Sequence, residues 1–277
     1  MPNKKRKEHK RFTDLLQYSN AVNHDGLHMP IMLTGPAGTA KSQAAEHLAE
    51  TLGLNYGYMA GSQQLTKSDM LGYRSPDGKI IDSLLGQFYQ QGGVFVIEEI
   101  DAINNNILLN LNTAIAGHRG YFAGRMVERH PDFRLIATAN TYGGSDDNYN
   151  ARTKLDASTM SRFLRLEWEL DEQLETDLLD NLRIDEAIKR TREELRKRGY
   201  ELTMRDALSY KALLEVWIGY ESAAASTILR EVDPSQRPEL LSYVKVVLPK
   251  SEPIELSEYI PPEEAPEEAP EEVEPLF

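Results

Sequence analysis

The stretch "GPAGTAKS", residues 35 to 42, sets a glycine, a lysine and a serine at the spacing G-x-x-x-x-G-K-[ST], with Gly38 between them and Ala40 where the second glycine of the pattern belongs. Such a stretch can grip a polyphosphate. Gly35, Pro36, Ala37, Gly38, Thr39 and Ala40 would form a loop whose backbone N–H groups wrap the anion at a helix N-terminus, where the helix dipole favours negative charge. Lys41 would reach the β and γ phosphates, and the Ser42 hydroxyl would ligate Mg²⁺. A second stretch, "GGVFVIEEIDA" at 92 to 102, runs four apolar residues straight into two glutamates. In phosphate-loop enzymes, carboxylates at the end of a neighbouring buried strand handle the metal and the attacking water. Glu98 would then sit against the Mg²⁺ shell, and Glu99 would polarise the water. Two adjacent anions repel each other, and a cation beside them removes that cost.

These residues can act together only if strands and helices bring them to one place. "MPIMLTG" reads as a short buried strand, with Pro30 tolerable only at its first position. After the loop, "KSQAAEHLAETLG" puts Ala44, Ala45, Leu48, Ala49 and Leu52 on one helical face and stops at Gly53. Further strands are predicted at 55–60, 93–97, 133–139 and 164–168, and a helix in "RFTDLLQYSNAV". Near-continuous apolar runs alternating with helices give an α/β fold, a parallel sheet covered by helices on both faces. From Asp171 to about Leu248 the pattern is helical, with Ile184, Ile188 and Leu195 in one stripe and Gly199 at its end. The expected division is a basic arm at 1–10, a nucleotide-binding α/β domain at 11–170, a helical domain at 171–248 and a tail at 249–277.

Together these motifs resemble the AAA+ ATPases, in the MoxR and dynein-related branch that includes the small ATPase subunit of cobaltochelatase. The resemblance covers roughly residues 10 to 248. "GPAGTAKS" is similar to the family's Walker A motif and "VFVIEEIDA" to its Walker B, with Glu98 in place of the usual aspartate. "IATANT" resembles sensor 1, which puts Asn140 beside the γ phosphate. "LDASTMSRF" resembles the segment that carries an arginine finger, here Arg162, and Arg152 in "NYNARTKLD" is a competing candidate for that contact across a subunit boundary. "LTMRDALSYKALL" resembles sensor 2, placing Arg205 over the nucleotide. Residues 68–86 and 119–133 resemble two insertions that face the central pore in this branch. Within them Tyr73, Tyr121 and Phe122 are candidates for exposed aromatics that grip a partner, the alternative being packing inside their own hairpins. The resemblance implies ATP and Mg²⁺ as ligands, a helical lid, and a homo-oligomeric ring, a hexamer. It also implies a protein partner with a von Willebrand A-type domain.

Composition bounds the rest. The chain has 277 residues, 40% hydrophobic and 27% charged, which is enough for a sizeable core. It has no cysteine, which excludes disulfides and thiolate metal sites, and no apolar run approaches the roughly 20 residues that span a bilayer. The basic start "MPNKKRKEHKR" lacks the apolar stretch of a secretory signal, so a cytoplasmic protein is expected. The net charge of -13 is uneven: "SEPIELSEYIPPEEAPEEAPEEVEPLF" holds ten glutamates and no basic residue, leaving about -3 for residues 1–250. That tail is expected to be disordered and solubilising, with the apolar end "EVEPLF" as an alternative docking peptide. No base-reading motif is present, and the basic arm is expected to be solvated rather than DNA-binding. The reading is ATP hydrolysis coupled to remodelling of a protein partner. Its rivals are an ATP-gated scaffold with little turnover, because of Glu98, and a nucleic-acid-stimulated motor.

Overall fold

The computed structural model of this chain describes residues 7–140 and 155–245. Arg152, the acidic tail and the first six residues of the basic arm lie outside the described residues. Helix α1 (Phe12–Ser19) buries Phe12 and Leu15 and leads through a turn into β1 (Ile31–Thr34), which is buried throughout. Helix α2 (Lys41–Leu52) follows, burying Ala44, Ala45, Leu48 and Ala49 on the face its spacing predicts, and it ends on Gly53 at φ 66°. Then come β2 (Tyr56–Ala60), α3 (Lys67–Leu71), the short strands β3 (Tyr73–Arg74) and β4 (Ile80–Ile81), and α4 (Leu84–Gln91). Strand β5 (Gly93–Glu98) is buried up to its last residue, and α5 (Asn105–Ala116) follows it. Strands β6 (Arg119–Phe122) and β7 (Arg125–Glu128) precede β8 (Phe133–Ala139), α6 (Ala157–Met160) and β9 (Leu164–Glu167).

Among the described residues, five strands form one sheet in the order β2-β5-β8-β1-β9, every neighbouring pair parallel. Alternation along β8 shows how both faces are used. Phe133, Leu135 and Ala137 pack with residues of α3, α4 and α5, whereas Ile136 packs with α1 and α2. The sheet is therefore covered on both sides, as its apolar runs require.

The two insertions are hairpins. In the first, Tyr73 pairs with Ile81 and Arg74 with Ile80 around Pro76, Asp77 and Gly78. In the second, Ala123 (φ 47°) and Gly124 (φ 81°) make the turn between β6 and β7. Tyr73 and Tyr121 are about half exposed. Phe122 corrects the expectation: it is fully buried against Tyr89 (ring centroids 5.0 Å apart), because strand alternation turns it to the opposite side from Tyr121.

Beyond β9, the helices α7 (Glu172–Leu179), α8 (Leu182–Lys197), α9 (Met204–Glu215), α10 (Tyr220–Ser226) and α11 (Arg237–Val244) share one compact unit with the sheet. The helical run from 172 breaks at Asp180, which is left-handed at φ 47°, and Asn181 caps α8 through the amides of Arg183 and Ile184. At the end of the basic arm Lys7, Glu8 and Lys10 are exposed, as expected, but His9 is not. His9 is buried and stacks on Trp168 with centroids 4.1 Å apart, and the Lys10 amide donates to Asp171 Oδ2 at 2.6 Å. No helix among the described residues is long and apolar enough to cross a membrane.

Candidate active site

A parallel sheet leaves the C-terminal ends of its strands as the place where loops can meet a ligand. Three of those ends converge here. The loop after β1 leads into α2, the end of β5 carries Glu98, and the residue after β8 is Asn140. A cleft of about 460 Å³ is lined by Ala37 to Gln43, Glu98, Glu99, Thr138, Asn140, Met204 and Arg205, with Leu208, Ser209 and Ala212 of α9 completing it.

The loop is shaped by contacts that its letters only partly announce. Gly35 has no room for a side chain, because a Cβ there would lie 2.0 Å from the Trp168 carbonyl oxygen. Gly38 takes φ +72°, the left-handed region open to glycine. Ala40 adopts the same region, φ 65° and ψ 27°, and serves as N-cap residue of α2. Thr39 Oγ1 donates to the Pro36 carbonyl at 2.9 Å, and Trp168 Nε1 donates to the Thr39 carbonyl at 3.0 Å. Lys41 is buried, its ammonium donating to the carbonyls of Gly35 at 2.7 Å and Pro36 at 2.6 Å. Ser42, in the first turn of α2, is partly buried and faces the cleft.

The carboxylate pair sits where the apolar strand runs out. Glu98 is partly buried and Glu99 exposed, with Glu99 left-handed at φ 51°, ψ 47°. The Glu99 amide donates to Thr138 Oγ1 at 3.1 Å, which ties the end of β5 to β8. Its negative neighbourhood is felt by Tyr56, whose hydroxyl is pushed up to about 12, first by burial and then by the charges of Glu98 and Glu46. Asn140 lines the cleft and its amide donates to Asp101 Oδ2 at 3.2 Å. Asp101 is fully buried, in the single helical turn that follows Glu99.

Across the cleft, Thr203 caps α9 in a reciprocal box with Asp206, and Arg205 follows in the first turn, exposed and lining the cleft. A Cβ on Gly38 would lie 2.8 Å from Thr203 Cβ, so the start of α9 rests on the loop. The structure thus brings Gly38, Thr39, Ala40, Lys41, Ser42, Glu98, Glu99, Asn140 and Arg205 around one space. It does not bring Arg162 there. Arg162 follows α6, its Nη1 donates to the Ser158 carbonyl, and its Nε is buried with no hydrogen-bond partner among the described residues.

Sequence reasoning missed Asp101, Thr138 and Trp168. Asp101 had a visible signal, an acidic residue two positions beyond the glutamate pair. Trp168 had none beyond its place at the end of a predicted strand.

The donor set suits magnesium that arrives with a phosphate ligand. The Ser42 hydroxyl and the carboxylates of Glu98 and Glu99 line one cleft, and no group of three or more metal-binding side chains occurs among the described residues. Mg²⁺ uses one or two carboxylates plus substrate phosphates and waters, rather than an all-protein cage.

Comparison with known proteins agrees with this arrangement. Residues 30–163 match the AAA domain of the dynein-related subfamily. Midasin of Dictyostelium discoideum is 30% identical over 144 residues, 50% of this chain and 2% of midasin. The gas vesicle ATPase GvpN2 of Halobacterium salinarum is 28% identical over 152 residues, 44% of each chain. Protein NorQ of Paracoccus denitrificans is 25% identical over 150 residues, 52% of this chain and 54% of NorQ. This chain therefore spans no more than 54% of the length of any of the three. The sheet order and the loop agree with the matched segment, so residues 30–163 are similar in sequence and arrangement to the AAA domain of the dynein-related subfamily.

Proposed function

We propose that this chain is a Mg²⁺-dependent ATPase that works in the cytoplasm as a ring, a hexamer, and couples ATP hydrolysis to remodelling of a protein partner. The observation that carries the reading is the single cleft in which the loop, both glutamates, Asn140 and Arg205 meet. The loop amides and the N-terminus of α2 hold the phosphates. Lys41 exchanges its loop carbonyls for the β and γ phosphates. Ser42 and Glu98 would hold the metal ion, which when bound would neutralise charge on the phosphates. Glu99 takes the proton of the attacking water, and Asn140, pinned by Asp101, orients that water against the γ phosphate. Arg205 supports the phosphates from α9, so the helices α7–α11 act as a lid whose position follows the nucleotide.

Arg162 serves the neighbouring subunit's site in this reading. Its absence from its own cleft and its short helix support that assignment. Tyr73 and Tyr121, half exposed on the two hairpins, are the contact points for the partner, which the family resemblance suggests carries a von Willebrand A-type domain. The name of the gas vesicle relative includes ATPase activity, which supports the hydrolytic reading over a passive scaffold.

Phosphate release from Mg-ATP tests the assignment. Glu99→Gln is expected to keep ATP affinity and lose roughly 10²- to 10⁴-fold in turnover, the usual worth of a general base. A wild-type ring that binds ATP but releases no phosphate, with partner present, would instead establish the scaffold and implicate Glu98. Stimulation of turnover by DNA would favour the motor.

A further inference from the structure

The opposite end of β8 carries a second concentration of charge that the proposed ATPase does not use. Arg134 is the second residue of the strand, six positions before Asn140, so the two lie about 20 Å apart at the strand rise of roughly 3.3 Å per residue. It lies on the face shared with Ile136, toward α1 and α2. The side chain is about nine-tenths buried, yet Arg134 Nε and Nη1 have no hydrogen-bond partner among the described residues. The nearest carboxylate is Asp132, whose Oδ1 stands 3.8 Å from Nη1, outside hydrogen-bond reach.

A second arginine and a histidine crowd the same place. Arg129 is buried, its guanidinium donating to the carbonyls of His28 at 2.6 Å and Ile115 at 3.1 Å and standing 5.2 Å from the centroid of the Phe133 ring. His28 Nδ1 is buried and has no partner among the described residues. Burial, then the charges of Arg134 and Arg129, hold the His28 pKa down, against the opposing pull of Asp132 and of the Ser19 backbone. Arg129 is likewise lowered by burial and by Arg134, with Tyr89 opposing. A desolvated guanidinium with unanswered N–H groups is costly, and a charged acceptor is the ligand that offsets the cost most.

We propose that Arg134 and His28, backed by Arg129, form an oxyanion site at the N-terminal edge of the sheet, fitted to a phosphate or a carboxylate. The site is separate from the nucleotide cleft, which lies at the C-terminal edge. Arg134 supplies the fixed charge and the buried N–H donors. His28 adds a second donor when its Nδ1 takes a proton, which an arriving anion favours.

The test is a titration of the Lys41→Ala protein, in which the phosphate loop is disabled, followed through isotope-labelled histidine rings by NMR. The chain has six histidines, and His24, whose side chain is 88% exposed, reports any bulk effect. Inorganic phosphate and acetate are added in separate arms, with chloride at equal ionic strength as the control. The expected result is a saturable shift of the His28 ring and a rise in its pKa, both lost in the Lys41→Ala/Arg134→Met double variant. A shift with phosphate alone marks a tetrahedral anion, and with acetate alone a carboxylate. If neither anion moves His28 beyond the chloride control, no such site exists, and that arm decides even where the Arg134 variant fails to fold. An unchanged shift in a folded double variant would also overturn the assignment.

Discussion

Ala40 and Glu99 both hold left-handed backbone at the edge of the cleft, at φ 65° and φ 51°. Left-handed geometry costs an L-residue roughly 1–2 kcal/mol and costs glycine nothing comparable. Replacing alanine by glycine also frees the unfolded chain, which takes back about 0.4–1 kcal/mol. Ala40→Gly is therefore expected to stabilise the protein by about 0.5–1 kcal/mol, read from urea denaturation of the two proteins side by side. A loss of stability would mean that the loop is not held as described. The spacing of "GPAGTAKS" was enough to find the loop and to single out Ala40. The left-handed backbone there adds a conformational demand that no sequence pattern states. Asp101 shows the same limit: "EEIDA" marks an acidic residue beyond the glutamate pair, but nothing in it states the contact with the Asn140 backbone amide, 39 positions away.

At the scale of elements, the join between sheet and helices is tied by one buried carboxylate. Asp171 Oδ1 caps α7 by accepting from the amides of Gln173 and Leu174, and Oδ2 accepts from the Lys10 amide. Burial opposes its charge, but the Lys10 and Leu174 amides, with His9 and the charge of Lys10 nearby, outweigh burial and hold its pKa below the usual carboxylate range. A carboxylate with a lowered folded pKa contributes stability above its unfolded pKa and loses it as pH falls through the folded value. Asp171→Asn should cost roughly 1.5–3 kcal/mol at neutral pH, the worth of a hydrogen bond to a charged group. The difference from wild type should begin to shrink as pH drops below about 4, where the unfolded chain takes up the proton, and vanish once pH has fallen through the lower folded value. Denaturation curves at several pH values check this, and a difference that stays constant down to acid would contradict it. The strands were legible because buried parallel strands read as apolar runs, and the hairpin turns because Pro-Asp-Gly and Ala-Gly mark them. The break at Asp180 and Asn181 was not, since α7 and α8 share a continuous helical pattern and only the cap geometry divides them. The tie of His9 and Lys10 to Trp168 and Asp171 is a contact across some 160 residues, beyond the reach of any local pattern.

In the proposed function the whole molecule is one member of a ring, and Arg162 is the charge that it would lend to its neighbour's cleft. Lys41, Asn140 and Arg205 line the cleft, where in the proposed function they would face the phosphates, whereas Arg162 lies outside that lining and its Nε has no hydrogen-bond partner among the described residues. An arginine finger is worth roughly 10³–10⁵ in rate in the better-studied nucleotide hydrolases. The most direct measurement is phosphate release from Arg162→Ala and Glu99→Gln, each alone and then mixed, with assembly followed by light scattering. The shared-site account predicts that each is nearly inactive alone and that the mixture regains activity, because some interfaces then pair an intact Glu99 with an intact Arg162 from the next subunit. Full activity of Arg162→Ala alone, or a co-assembled mixture no more active than its parts, would contradict it.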